Sequence, residues 1–122
     1  MSIFHLNIRS IPKNLNTLIP TLHSSGLNFD ILVFSETWLK PSNADAYGIT
    51  GYSHEFITHP EKPGGGISLY INEKYSYKNR PDLNLLSDDL EMLWIEVDKE
   101  YIKSTTNLLI GLRKELSMRG KH

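Results

Sequence analysis

The fold of this chain is decided by the stretch Phe29-Asp30-Ile31-Leu32-Val33-Phe34-Ser35-Glu36-Thr37-Trp38-Leu39. Its centre, Ile31 to Phe34, is an apolar run rich in β-branched and aromatic residues, which is typical of a strand buried on both faces. The run stops at Ser35 and Glu36, and a carboxylate there is costly if it is buried without a partner. Taken alone, Glu36 is therefore best explained as a side chain that reaches solvent where the strand ends.

The residues before this stretch predict a strand and then a helix. From Ile3 to Ile8, apolar side chains occupy every second position, so one face of a strand is apolar. Ser10 is suited to cap a helix N-terminus and Pro12 to its first turn, and the apolar residues that follow recur at helical spacing. Pro20 should kink or end this helix, and Gly26 is suited to the left-handed position after its C-terminus.

A strand, a helix and a second strand in this order form a βαβ unit, whose two strands are expected to be parallel. The carboxyl ends of parallel neighbours meet at one edge of the sheet, where ligands bind in open α/β sheets. Asn7 lies near the end of the first strand and Glu36 at the end of the second. The unit therefore predicts that Asn7 and Glu36 lie at the same edge, close enough to share one ion.

The rest of the chain predicts short strands that are mostly antiparallel. They are expected at Tyr52 to Thr58, Ile67 to Ile71, Tyr75 to Lys78, Met92 to Val97 and Asn107 to Leu112. The predicted fold class is α/β (α+β), with a βαβ start followed by mostly antiparallel strands. One domain is expected over residues 1–112, and the basic segment 113–122 is expected to be an unstructured tail.

The turn between two of these strands carries no predicted site. His59 to Gly66 is expected to be an exposed turn followed by a run of three glycines, which let the backbone pass close to another group or adopt an unusual φ at the strand entry. It lacks the Gly-Lys-Ser/Thr sequence of a P-loop and precedes a strand instead of a helix. His54 and His59 have no further ligands of the kind that zinc needs, so both are expected to be exposed to solvent.

Length and composition narrow the class of protein. A chain of 122 residues is long enough for one domain with a core and too short for two. The formal net charge of −1 gives no global basic field of the kind that attracts nucleic acid. The absence of cysteine fits a reducing, intracellular compartment. Neither a secretory signal nor an apolar run of the ~20 residues that span a membrane is visible.

Four segments resemble, in order and spacing, the start of an endonuclease/exonuclease/phosphatase domain. The closest likeness is to the apurinic-endonuclease-like domain of non-LTR (LINE-type) retrotransposons, and it covers about Ile3 to Leu112. The segments are Leu6-Asn7-Ile8-Arg9-Ser10, Phe29-Asp30-Ile31 with Ser35-Glu36-Thr37-Trp38-Leu39, Gly51-Tyr52, and Gly64-Gly65-Gly66-Ile67-Ser68-Leu69-Tyr70-Ile71.

The resemblance implies a metal-dependent hydrolysis of phosphodiester bonds in DNA. It assigns Asn7 and Glu36 to the catalytic metal site, with Glu36 as a direct ligand of Mg²⁺ or Mn²⁺. It makes Arg9 and Lys40 candidates for contact with nucleic acid, although Arg9 is equally well explained as a solvated or ion-paired side chain. A nuclear location follows if the parent retrotransposon role applies.

The departures from the family pattern imply an incomplete site. Arg113-Lys114-Glu115 stands where the family continues into a Tyr-Arg-Pro-Pro-type segment with an active-site tyrosine. The Gly-Asp-Phe-Asn-type strand end and the late Asp-His pair have no match. The expectation is therefore a truncated and inactive N-terminal half of such a domain. The alternatives are an active nuclease or phosphatase completed by another chain, and a non-enzymatic interaction module.

The missing half also predicts a physical property of the chain. The family fold packs two sheets together, so a chain with one sheet should expose a contiguous apolar face. Self-association through that face is the expected consequence.

Overall fold

The structure is a computed structural model that describes residues 1–59, 64–87, 90–102 and 106–115. Within this part, the chain is a mixed α/β protein with one α-helix and eight strands in two sheets, and most strand pairs are antiparallel. Contacts divide the chain into two compact units, Met1–Glu73 and Lys74–His122. The assignment of residues 1–112 to one endonuclease-type domain stays a prediction.

The first unit contains the predicted βαβ start. Its sheet has the order β1-β2-β4-β3, in which β1 and β2 are parallel and the other neighbours antiparallel. The helix α1 connects the two parallel strands, as the sequence predicts. The elements are β1 (Ile3–Asn7), α1 (Ile11–Ser24), β2 (Ile31–Ser35), β3 (Tyr52–Ile57) and β4 (Ile67–Asn72).

The ends of α1 agree with the sequence, whereas its proline does not act as expected. The Ser10 hydroxyl accepts a hydrogen bond from the Lys13 backbone N–H at 3.2 Å, and Gly26 has φ +72° after the last turn. The helix passes through Pro20 and ends at Ser24. Pro20 and Asn16 are both exposed, so water can serve the Asn16 carbonyl that loses its helical partner. No helix in the described ranges is long and apolar enough to cross a membrane.

All five residues of β2 are buried, which confirms the strand buried on both faces. On one face the strand joins a core formed with α1 and the loops around it. The buried members of that core are Ile8, Ile11, Leu15, Leu32, Phe34, Leu39, Ala44 and Tyr70.

In the described residues, the two apolar runs on which an exposed sheet face was predicted are largely buried, so the prediction was wrong for those runs. Two sheets are present instead of one, and Ile31 to Phe34 have at most 5% of their surface exposed. In the second sheet Leu93, Ile95 and Val97 are likewise buried. Self-association through such a face therefore loses the feature on which it was predicted.

The second unit is built around one long strand. Strand β7 (Leu90–Val97) pairs with β8 (Leu108–Glu115) along its whole length. Two short strands, β5 (Tyr77–Asn79) and β6 (Leu85–Leu86), pair with opposite halves of β7 and are antiparallel to it. Alternate residues of β7 are buried, as expected for a strand in a sheet.

The last strand is longer than the sequence predicts. It continues past Leu112 to Glu115, so residues 113–115 do not belong to an unstructured tail. The reason is pairing with β7, since Met92, Glu91 and Leu90 lie opposite these three residues. The remainder of the predicted tail, residues 116–122, lies outside the described residues.

Candidate functional site

The strand register brings the predicted site residues to one edge of the first sheet. Asn7 pairs with Ser35, so Glu36 follows directly beside the end of β1. Strand β4 begins at the same edge, because Ile67 pairs with Ser35. We call this edge the rim and define it as residues 7–11, 35–38 and 64–66.

Backbone hydrogen bonds join the three segments of the rim. The N–H groups of Ser10 and Ile11 donate to the carbonyls of Glu36 and Thr37, at 2.9 and 2.8 Å. On the other side, the Trp38 N–H donates to the Gly65 carbonyl at 2.9 Å. The segment that carries Glu36 is therefore fixed between the loop after β1 and the glycine run before β4.

The Glu36 carboxylate is anchored and half-buried, and does not simply reach into solvent. Its Oε2 atom accepts a hydrogen bond from the Gly65 backbone N–H at 2.9 Å and another from the Trp38 indole Nε1 at 3.2 Å. Two donors on one oxygen fix the orientation of the carboxylate. The sequence analysis did not predict these roles of Trp38 and Gly65; for Trp38, its position two residues after Glu36 is the one signal that could have indicated the contact.

The rim also holds unusual backbone conformations. The four non-glycine residues with positive φ in the described chain all lie here: Arg9 (51°), Ser10 (95°), Glu36 (53°) and Trp38 (57°). Such conformations cost on the order of 1–3 kcal/mol each and cluster at functional sites, where the surrounding structure enforces them. The concentration of strain at this edge, next to an anchored carboxylate, makes it the candidate functional site.

The glycine run, residues 64–66, lines the rim and is buried or partly buried. Gly66 is buried with φ +93°, and a Cβ atom there would lie 2.5 Å from the Thr37 hydroxyl. At Gly64, a Cβ atom would lie 3.6 Å from the Trp38 indole nitrogen. The predicted role of the glycines, close backbone approach and unusual φ at the strand entry, is confirmed. In the predicted exposed turn before them, His59 is buried, and residues 60–63 lie outside the described part.

The structure places the other predicted site residues as follows. Asn7 and Arg9 are exposed at the rim, on the same edge as Glu36. Lys40 is exposed two residues beyond Trp38, where its backbone N–H donates to the side chain of Asn43. The register therefore places Asn7, Arg9 and Glu36 at one edge of the sheet, and Lys40 begins the next loop.

The donor chemistry at the rim suits a hard divalent cation. Asn7 offers an amide oxygen and Glu36 a carboxylate, and Mg²⁺ takes one or two carboxylates while keeping several waters. No group of three or more His, Cys, Asp or Glu residues that could hold a metal ion is found among the described residues. The set therefore fits a weakly held, largely hydrated cation.

Both histidines that the sequence predicts to be exposed are buried to a large extent. His59 has only 8% of its surface exposed, and neither ring nitrogen has a hydrogen-bond partner among the described residues. The Nε2 atom of His54 lies 2.8 Å from the Ser68 hydroxyl, and its ring stacks on Tyr70 with centroids 4.1 Å apart. Burial lowers the pKa of His54 to about 4, against an opposing effect of Asp45.

The burial of His54 has a reason that strand periodicity supplies. His54 alternates with Tyr52 and Phe56 on the same face of β3, and both of these pack against the core. A neutral histidine between aromatic rings explains this position without a catalytic role.

The sequence matches no family model, and no curated protein matches it. The likeness to endonuclease/exonuclease/phosphatase domains accordingly rests on the motifs quoted from the sequence.

Proposed function

We propose that the rim is part of a divalent-cation-dependent site for phosphodiester bonds in DNA, of the endonuclease/exonuclease/phosphatase kind. The observation that carries the proposal is the Glu36 carboxylate, held by two N–H donors at the carboxyl end of β2 and next to Asn7 in the strand register. A site at the carboxyl ends of neighbouring parallel strands is where open α/β sheets bind ligands.

Five residues of the rim have assigned roles in this proposal. Glu36 and Asn7 hold Mg²⁺ or Mn²⁺ through oxygen atoms. When bound, such a cation stabilises negative charge on a phosphate and its leaving oxygen. The exposed guanidinium of Arg9 binds a phosphate, for which its planar group of N–H donors is suited. Trp38 and Gly65 orient the carboxylate and touch no substrate phosphate in this scheme.

The 122-residue chain alone is proposed to bind the cation and DNA without cleaving phosphodiester bonds. Phosphodiester cleavage needs an activated water and stabilised phosphate charge in addition to the cation. The chain has no match to the family's Asp-His pair, its central Asp and Asn, or its active-site tyrosine. Groups that act as a unit fail as a unit, so the loss of several removes nearly all activity.

Binding of Mn²⁺, followed by the paramagnetic resonance signal of the free ion, tests the cation site. We expect weak binding by the chain and none by the Glu36→Gln variant, which keeps the shape of the side chain and loses its charge. The matched control is Glu73→Gln, because Glu73 is exposed at the opposite edge of the same sheet, after the end of β4. Equal binding by the Glu36 variant would place the cation elsewhere.

Nicking of plasmid DNA tests the second half of the proposal. The pure chain should leave supercoiled and abasic plasmid intact in Mg²⁺ or Mn²⁺. Nicking activity that follows the protein through purification and disappears in Glu36→Ala would contradict this and would make the chain an active nuclease.

A further inference from the structure

We infer that Trp38 is a fixed platform on which an unpaired nucleobase stacks beside the rim. This inference rests on the proposed function, since it adds a base contact to a site proposed for phosphodiesters. The first observation is exposure: Trp38 has 46% of its surface accessible, although it lies between two buried residues, Thr37 and Leu39.

The second observation is that the exposed ring is held along one side. Its Nε1 atom donates to Glu36 at 3.2 Å, and its backbone N–H donates to Gly65 at 2.9 Å. A Cβ atom added at Gly64 would lie 3.6 Å from Nε1 and 3.8 Å from Cδ1, so the Gly64 backbone passes beside the five-membered ring of the indole. The six-membered ring points away from these contacts.

A single exposed apolar side chain is common on protein surfaces and needs no explanation. Trp38 differs because its backbone has φ +57° and its ring is held by the hydrogen bond from Nε1 to Glu36. A ring that is already ordered loses little conformational entropy when a planar ligand stacks on it. The rim thus maintains a strained conformation that keeps an aromatic surface in water.

The charges around Trp38 identify the planar ligand as a base attached to a phosphate backbone. Arg9 is exposed, and the adjacent Ser10 N–H is bonded to the Glu36 carbonyl, so its segment lies against that of Trp38. Lys40 is exposed two residues beyond Trp38. Cations beside an aromatic ring are the arrangement by which proteins bind single-stranded nucleic acid: the cations bind the phosphates and the ring stacks on a base.

Fluorescence can test this because each compact unit contains one tryptophan. The Trp94→Phe variant keeps Trp38 as its single tryptophan, and Trp38→Phe keeps Trp94 as a matched control. Two probes of equal backbone charge are compared in EDTA: a short oligothymidylate, and an oligodeoxyribose phosphate of the same length without bases. Circular dichroism verifies that both variants are folded.

We expect oligothymidylate to quench the Trp38 emission of the Trp94→Phe variant and to leave the Trp94 emission of Trp38→Phe unchanged. The probe without bases should produce no quenching. In a separate anisotropy titration, Trp38→Ala should bind labelled oligothymidylate roughly 5- to 150-fold more weakly than the unchanged chain, the range that loss of one base–aromatic stack gives.

Equal quenching by the two probes, or no quenching by either, would overturn the inference. Unchanged affinity in a folded Trp38→Ala variant would also overturn it. Because these titrations contain EDTA, they do not depend on the cation site. If Mn²⁺ binding depends on Glu36 but no base contact with Trp38 is detected, only the Trp38 platform is rejected. If the base contact is detected but Mn²⁺ binding does not depend on Glu36, the proposed cation site is rejected.

Discussion

The two compact units each hold a prominent glutamate, and they hold it in different ways. In the first unit, Glu36 accepts hydrogen bonds from an indole and a backbone N–H, within a segment of strained backbone. In the second unit, Glu96 lies on a regular strand and accepts a hydrogen bond from Arg80 at 2.7 Å and another from Asn107 at 2.6 Å. Lys78 lies 3.8 Å from the same carboxylate.

The difference distinguishes the proposed site from an ordinary ion-paired surface. Arg80 and Lys78 neutralise the charge of the part-buried Glu96 carboxylate on a regular strand, where no strained backbone conformation is involved. At the rim, strain is maintained where an anchored carboxylate and an exposed ring meet, which is the pattern expected of a place kept for a ligand. Stability measurements on the two units should therefore differ in kind, and fluorescence of Trp38 and Trp94 can follow each unit separately.

The largest effect is expected from Gly66→Ala in the first unit. A methyl group there meets the Thr37 hydroxyl at 2.5 Å, and the backbone has φ +93°. Strain and clash together should lower the free energy of unfolding by about 2–4 kcal/mol. Urea unfolding followed through Trp38, in the Trp94→Phe background, measures this.

The matched control for that variant is Gly26→Ala. Gly26 has a similar φ of +72°, and nothing lies within 4 Å of its added methyl group. Gly26→Ala should lower the free energy of unfolding only by the cost of the left-handed conformation, about 1–2 kcal/mol. Equal losses in the two variants would mean that the Thr37 contact does not constrain the rim.

Sequence reasoning reached the framework of the first unit because local signals there agree with the tertiary structure. Three local signals were read correctly: the apolar run at Ile31 to Phe34, the cap at Ser10 and the glycine after α1. The parallel pairing of β1 and β2, which places Asn7 and Glu36 at one edge, followed from them. The anchoring of Glu36 by Gly65 could not be predicted, because it joins residues 29 positions apart through a backbone N–H.

The second unit was predicted less well for a related reason. The short strand Leu85–Leu86 was not predicted, because two residues are too few for a periodic signal. The extension of β8 to Glu115 depends on a pairing partner, since Arg113 to Glu115 have no apolar alternation of their own.

A smaller change in the free energy of unfolding, of up to about 3 kcal/mol, is expected from the titration of His54. Burial lowers the pKa of His54 from 6.5 to about 4 in the folded chain. Between these values the unfolded chain binds more protons, so stability is fully present above 6.5 and is lost as the pH falls toward 4. Urea midpoints of the Trp38 transition, measured across this range, should decline.

The His54→Gln variant should show a flatter decline over the same range, because glutamine keeps a polar group near Ser68 without titrating. His23→Gln is the control for loss of a histidine, since His23 is exposed on α1 and lies outside the core. A slope that is the same in all three chains would assign the pH dependence to other groups.

The smallest change in the free energy of unfolding is expected in the second unit, and it should occur at lower pH. The hydrogen bond from Asn107 and the contact with Arg80 lower the pKa of Glu96 below its usual 4.5, and the hydrogen bond from Arg80 lowers the pKa of Asp82 below 3.8. A carboxylate with a lowered pKa stabilises the fold above its unfolded value and loses this contribution as the pH falls through the folded one. The Trp94 transition of the Trp38→Phe variant should therefore stay constant from pH 6.5 to 4.5 and weaken only below that.

Glu96→Gln tests this assignment, because glutamine carries no titrating charge and its single oxygen can accept from Arg80 or from Asn107 but not from both in place. We expect a small loss of stability at neutral pH, where the ion pair is intact, and a weaker dependence on pH below 4.5. The same substitution should leave the decline of the Trp38 transition between 6.5 and 4 unchanged, because that decline comes from His54. If Glu96→Gln instead removed the pH dependence of both transitions, the two units would share one titrating group, and the contrast between a strained rim and an ion-paired sheet would fail.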